Sequence, residues 1–555
     1  MPLRTIQRGA DLARWRGGNP GDTVLVKGGT YREMVVLRYG GWEPQSVWFK
    51  AAPGEEVCVK GSDVVTGWEH DSGHVWKKAG WPHPSRQVFC DDKVLRQVAY
   101  FSSLPDFGEV DPDPVKYGPS AGRKAFSNPH LLRPIDGGKD AMTAGSFFVD
   151  MDKDVLYVWL EDGSDPNDHF MEVSVRPHLF VAENLDVCGI VLDGFKMRHT
   201  SAARHSFRSG GVVMGPYRWI IQNCDIQWTC FTGLQAWGKY HLIRNNIINC
   251  NGCCGIDSGT PVPVDPRTGP FPLEETVLEG NVTNWNNYRA FSRWWHCGGI
   301  KLIPCVSRVR VTKHEAVGNH GPGIWFDTDC LDGEISLCRT TDNESHGIFY
   351  ELNGRGLIWG NISLRNATGV ANEGSETTRI YNNYCAGNDV GISVIRDTYP
   401  EKWTAKESVV RNNILVDNIR ADIRVADSEH CFNNVVDHNI YYSSKGSPRF
   451  SMYLTYDTVL APRANEEKLF TDLAAWQKAT GWDEHSQVAD PRCVDPANED
   501  FHLSPDSPAI DAGFPLEEVY VDLDGNPRPS AKGLDVGPLE FSPVPDRRRT
   551  GAGGR

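Results

Sequence analysis

GIWFD (residues 323–327) and GIFYE (residues 347–351) are two copies of one short phrase, set 24 positions apart, and each ends in a carboxylate, Asp327 and Glu351. The opening glycine extends the pattern along the chain. Gly211 (GVVMG), Gly233 (GLQAW), Gly255 (GIDSG), Gly299 (GIKLI), Gly323, Gly347, Gly369 (GVANE) and Gly391 (GISVI) follow one another at 22, 22, 44, 24, 24, 22 and 22 residues. The long interval holds two insertions, SGTPVPVDPRTGPFP and RAFSRWWH, and reads as one rung plus two loops. Asparagine keeps step just before short β-branched runs, in QNCDI, RNNII, EGNVT, WGNIS, YNNYC, RNNIL and FNNVV.

A period near 22 with several short strands per turn, and no 3.6-residue pattern, describes an all-β solenoid, a parallel β-helix. Each turn buries its apolar side only against the turns above and below. Asparagines stacked at a bend bond one another's side-chain amides along the axis, which explains why the marker is Asn and not merely polar. The leucine-rich phrase LxxLxLxxN is absent, and a propeller blade needs about 40–50 residues.

Around this repeat the chain divides into five stretches. Residues 1–70 read as opening coils, from PGDTVLVKGGTYREMVVL and EEVCVKGS. Residues 71–175 break the rhythm with HVWKKAGWP, RQVFCDDKVL and FFVDMDKDVLYVWLEDGSDPND, the alternating strands and tight turns expected of a small antiparallel β-sandwich inserted into the solenoid. Residues 176–445 carry the main β-helix. Residues 446–541 hold further coils, a helix in EEKLFTDLAAWQKATG and a terminal cap around SPAIDAG, and 542–555 read as a disordered tail.

Composition narrows the function classes. A formal charge of −15 argues against nucleic acid, whose binders carry a basic face. No stretch approaches the ~18 apolar residues of a membrane span. MPLRTIQRGADLARWRGGNPGD has no apolar h-region, so a cytoplasmic protein is expected, or a secreted one if a leader has been trimmed. Fifteen cysteines follow no paired zinc-ligand spacing and read as reduced core thiols.

Alternation then decides which residues share a face. With Ile324 and Phe326 inward, Trp325 and Asp327 point out of the coil, and by the same register so do Phe349 and Glu351. Lys301 and Asp257 take the Trp325 column on earlier rungs, preceded by Gln235 and Trp237, and Glu373 follows Glu351. The exterior of one sheet is therefore expected to display Asp257, Lys301, Trp325, Asp327, Phe349, Glu351 and Glu373 as one patch, with rungs ~4.8 Å apart. Stacked acids repel, which is expected to raise the proton affinity of at least one and to leave a proton donor beside an ionised partner. At roughly 5 Å the adjacent pair fits a retaining glycosidase, whereas Asp327 and Glu373, two rungs apart, come nearer the inverting spacing. Trp237, Trp325, Phe349 and the inserted Trp295 offer faces for sugar rings, and His296, His320 and His346 fall where they could line the rim.

Other readings use the same residues. The acids could form a calcium site or a solvated ladder. A polysaccharide lyase or uronate epimerase would take Lys301 as base, with Asp257, Glu351 or Glu373 holding calcium. A third reading is a non-catalytic carbohydrate-binding solenoid. The expected partner is an oligo- or polysaccharide, with no membrane or nucleic acid; the hydrolase requires no cofactor or metal, calcium is admitted, and so is homo-oligomerisation.

GTYRE, GIWFD, GIFYE, SPAIDAG and the closing DVGPLE resemble the right-handed parallel β-helix glycoside hydrolases, nearest family 120 (β-xylosidases), with family 141 (fucosidase and xylanase activities) as a cousin. The likeness covers about 185–425 plus the opening and closing segments, and an insert near 70–175 agrees with the family-120 plan. That family pairs an aspartate nucleophile with a glutamate acid/base about one rung later. Carried over, the resemblance implies Asp327 as nucleophile and Glu351 as acid/base of an exo-acting, retaining enzyme.

Overall fold

The computed structural model describes residues 3–542 apart from 15–20, 42–44, 101–127, 185, 203–208, 259–271, 294–296, 397–403, 427–430, 454–466 and 531. The tail read at 542–555 falls almost wholly outside them, as do Trp295 and His296. The chain forms two compact units, residues 1–334 with 340–353, and residues 335–339 with 354–555. Among the described residues no helix is long and apolar enough to cross a membrane.

In the first unit the coils lay short strands on three faces, with isolated bridges at Ile247 and Val282 in place of a strand on the second. The first coil supplies Thr23–Val26, Gly29–Tyr31 and Val35–Leu37 to the first, second and third face. Strands pair in parallel with the coil that follows, as Thr23–Val26 does with Val47–Ala51 and Ile190–Asp193 with Ile220–Gln222. The third face matters most here. Its strands run Thr232–Gln235, Cys254–Asp257, Gly298–Leu302, Ile324–Asp327 and His346–Glu351, each hydrogen-bonded to the next. Leu234, Ile256, Ile300, Ile324 and Ile348 are successive partners and all are fully buried. A burial of this kind stabilises by about 1.5–3 kcal/mol per aliphatic side chain, and only stacking supplies it.

The repeating glycine and asparagine have one cause. A Cβ on Gly255, Gly299 or Gly323 would lie 2.4–2.7 Å from the carbonyl oxygen of the glycine one coil on. It would also press on the amide of Asn286, Asn319 or Asn343. Those asparagines form a buried ladder, Asn251 donating to Asn286 (3.0 Å), Asn286 to Asn319 (3.2 Å) and Asn319 to Asn343 (2.8 Å). Each Oδ1 also accepts the backbone N–H of the preceding rung's asparagine. The marker asparagines build a second ladder, Asn246 to Asn281 in this unit and Asn361–Asn383–Asn413 in the other. The next rung there is Asn439; Asn434 of FNNVV instead accepts the Ser408 N–H.

From Ser62 the chain leaves the coil and returns at Phe180–Ala182, so the excursion sits at the bend between the second and third faces. It forms a four-stranded and a six-stranded sheet. Their pairings are antiparallel except those of Arg96–Ala99, which runs parallel to both neighbours. Trp68, Trp81, Val88, Phe147, Leu156, Val158 and Val173 fill a shared core. Ahead of the first coil, in the stretch read as opening coils, Ile6–Leu12 forms an α-helix N-capped by Thr5. Such a cap covers the first rung, whose apolar face would otherwise have no neighbour.

The second unit repeats the three-face plan, with Leu357–Trp359, Ile362–Leu364 and Thr368–Glu373 beginning its faces. The helix read in EEKLFTDLAAWQKATG spans Leu473–Thr480, with Asp472 as N-cap and Trp476 buried. The closing segment, expected as a terminal cap, packs along the side of the coils. Phe501, Leu503, Ala509, Val536 and Leu539 cover Ile362, Tyr384, Ile414 and Ile440 on four successive strands. Eleven of the fifteen cysteines are buried. Burial pushes the Cys224 and Cys250 thiols up to about 12, so they remain inert packing groups.

Candidate active site

Strand alternation on the third face turns one row inward and the next outward. Phe326 and Tyr350 pack inside, ring centres 5.7 Å apart and tilted by 40°. The outward rows are Gln235, Asp257, Lys301, Trp325 and Phe349 in one register, with Asp327 and Glu351 as direct Cα partners in the next. The two acids therefore stand on adjacent parallel strands, ~4.8 Å apart at the backbone.

Their side chains are organised by Lys301 and Trp325. The Lys301 ammonium lies 2.8 Å from Asp327 Oδ2 and 3.2 Å above the centre of the Trp325 ring. Trp325 Nε1 donates to Glu351 Oε2 at 2.9 Å, and Thr328 Oγ1 donates to Asp327 Oδ1 at 2.7 Å. Trp325 stacks on Phe349 at 5.2 Å, and Phe349 meets the His346 ring at 4.3 Å. One chain of contacts thus runs Thr328–Asp327–Lys301–Trp325–Glu351, with both carboxylates oriented by named donors.

Two expectations need correction. The face was expected to display these residues on the exterior of the sheet, but Asp257, Lys301 and Trp325 are each 2% exposed, Asp327 is 7% exposed and Glu351 is half-buried. The described part of the excursion packs beside the same face. Ala99 packs with Phe231, Cys253, Cys254, Phe291 and Cys297, and Arg289 Nη2 donates to Gln97 Oε1 at 2.6 Å. Gln87 Nε2 donates to Tyr288 Oη at 2.6 Å, and Asn128 Nδ2 to the Trp285 carbonyl at 2.8 Å. The second correction concerns the stacked acids. They were expected to meet as bare like charges, whereas a cation holds one and an indole N–H the other.

The remaining candidates divide. Asp257 lies beside Lys301 in register. Trp237 is buried two residues past its strand, three strands or ~14 Å along the sheet from Trp325, so it forms no part of the Trp325–Phe349 stack. Glu373 ends the strand Thr368–Glu373 in the second unit, paired with Ile395. His320 is fully buried, with Nδ1 hydrogen-bonded to Glu344, and Arg293 Nη1 stands 3.6 Å from the same carboxylate. Sequence reasoning missed Thr328, Arg293 and Glu344. Glu344 was within reach of it, because it follows His320 by the 24-residue interval that separates the two phrases.

Residues 189–362 match the model of the right handed beta helix region. Among solved structures, the complex of XylC with xylose aligns over 98% of this chain and 96% of that one, at 15% identity and a TM-score of 0.62. The chain is a right-handed parallel β-helix. Looser matches to other β-helices include a glycoside hydrolase (13% identity, TM-score 0.44, 78% of this chain and 86% of that one) and the pectate lyase Pel9A (11% identity, TM-score 0.40, 95% and 89%). No curated protein matches the chain by sequence.

Proposed function

We propose that this β-helix is a retaining, exo-acting glycoside hydrolase with Asp327 as nucleophile and Glu351 as acid/base. The observation that carries the reading is the register pairing of Asp327 with Glu351 on adjacent strands. A strand spacing of ~4.8 Å suits the ~5–5.5 Å that separates the two carboxyls of a retaining enzyme. Lys301 and Thr328 hold one Asp327 oxygen each, which fixes the plane of a carboxylate that must approach an anomeric carbon. Glu351, the more exposed of the pair, protonates the departing glycosidic oxygen as the Asp327–sugar bond forms. In the second step it takes a proton from water, which attacks the anomeric carbon and releases Asp327. The excursion packs beside this face through Ala99 and Gln97, and a site closed on one side would take a chain end more readily than the middle of a polymer. Because the fold aligns end to end with a protein crystallised with xylose, xylosides are the first substrates to test.

A lyase or epimerase reading would need Lys301 to take a proton from the sugar ring, but its ammonium is engaged by Asp327 and the Trp325 ring. The deciding experiment is a panel of nitrophenyl glycosides with NMR of the first-formed anomer. Retention, loss of turnover in Asp327→Ala, and azide rescue of Glu351→Ala on an activated glycoside are expected. Inversion, or wild-type turnover in Asp327→Ala, would reject the assignment.

A further inference from the structure

The bend after each first-face strand of the second unit takes a left-handed residue. Successive coils place Asn382 (φ 53°), Asn412 (φ 58°) and His438 (φ 58°) there. Asparagine is at ease in that conformation and histidine less so. Asn382 donates to the carbonyls of Asp535 and Gly537, and Asn412 to that of Phe514. Histidine at the last of these bends breaks the repeat, and its surroundings give it a different task. Its ring lies against His485, 4.8 Å away and 26° from parallel, with Phe514 edge-on at 5.3 Å.

Both Nδ1 atoms converge on one oxygen. Asp437 Oδ2 is 2.8 Å from His485 Nδ1 and 3.1 Å from His438 Nδ1. His438 Nδ1 is buried and makes no hydrogen bond. Asp437 Oδ1 accepts the backbone N–H of His485 at 2.7 Å, which leaves Oδ2 to the rings. The three donor atoms lie within 4.8 Å of one another. Donors around a tetrahedral zinc, with bonds of ~2.0–2.1 Å, stand about 3.4 Å apart, so shifts of about an ångström with a turn of the two rings would admit an ion. The His485 side chain is 59% exposed, which leaves a water-accessible side for the remaining coordination position.

We propose that Asp437, His438 and His485 form a binding site for a divalent transition-metal ion of the zinc class. Two imidazoles and one carboxylate suit zinc's borderline character. The ion would clasp the segment after the helix Leu473–Thr480 to the coil that carries Asp437. This site is independent of the glycosidase reading.

The test uses untagged full-length protein, stripped with chelator and desalted, in a Cys90→Ser background. That change removes Cys90–Asp91–His169, the other place among the described residues where three such donors converge. Zinc chloride titrated calorimetrically is expected to bind at one equivalent with a Kd in the micromolar range or tighter, and to raise the melting temperature. His485→Ala and His438→Asn should each weaken binding at least tenfold and abolish the zinc-dependent rise. His438→Asn restores the repeat's own residue at this bend, so it should fold. No binding at 100 micromolar zinc (a concentration of about that order is ample for a three-ligand site), or binding unchanged in both variants, would overturn the proposal.

Discussion

Replacing Lys301 by Met separates the two halves of the proposed reaction. The ammonium stabilises Asp327 as a free carboxylate, 2.8 Å from Oδ2 at a side chain only 10% exposed. That carboxylate is the reactant of the first step and the product of the second. Losing the cation therefore makes Asp327 a poorer leaving group, and hydrolysis of the glycosyl-enzyme slows more than its formation. A hydrogen bond to a charged group contributes about 1.5–3 kcal/mol, which corresponds to a slowing of roughly 10- to 100-fold. Met keeps the stem's volume against Trp325, so the cation is the main thing lost. The assay is stopped-flow release of nitrophenol from an activated glycoside, with intact-protein mass spectrometry on quenched samples. A burst of about one equivalent and an accumulated glycosyl-enzyme are expected in Lys301→Met, with Lys301→Arg closer to wild type. A variant that slows both steps equally, without a burst, would refute the reasoning.

Three further outcomes are expected. Trp325→Phe keeps the stack on Phe349 but removes the N–H given to Glu351, so turnover of poor leaving groups should fall about 10-fold or more while activated glycosides change little; equal loss on both would contradict this. Asn319→Ala removes bonds to Asn286, Asn343 and the Thr283 carbonyl and strands buried groups, so denaturant unfolding should register about 3–5 kcal/mol of destabilisation, and a loss under ~1 kcal/mol would discount the ladder. Burial raises the Asp422 carboxyl to about 7, above its unfolded value. Its contribution is present below pH ~4 and disappears as pH rises towards 7, a change of about 4 kcal/mol that Asp422→Asn should flatten in melting curves recorded from pH 4 to 8.

How much of this was legible in sequence depends on whether it repeats. The opening glycines and the alternation after them lead directly to the parallel coil and to the pairing of Asp327 with Glu351, because every rung restates the same geometry. Asparagines five residues beyond the marker ones were equally periodic, Asn251 and Asn286 in one unit and Asn366 and Asn388 in the other, and their cause is the same stacked bend. What the repeat does not encode stayed hidden. The docking of the excursion beside the third face runs through single residues such as Ala99 and Gln97. The helix Ile6–Leu12 is two turns long, too short for its period to stand out. Thr328 orients Asp327 from a left-handed turn, where alternation no longer predicts direction.

The most direct test of the paired acids is to trap the intermediate. The protein is incubated with an activated 2-fluoro derivative of the sugar it hydrolyses, digested, and its peptides sequenced by mass spectrometry. A single sugar ester on Asp327 is the predicted result. A label on Glu351 or another residue, or no label together with an inverted product, would contradict it.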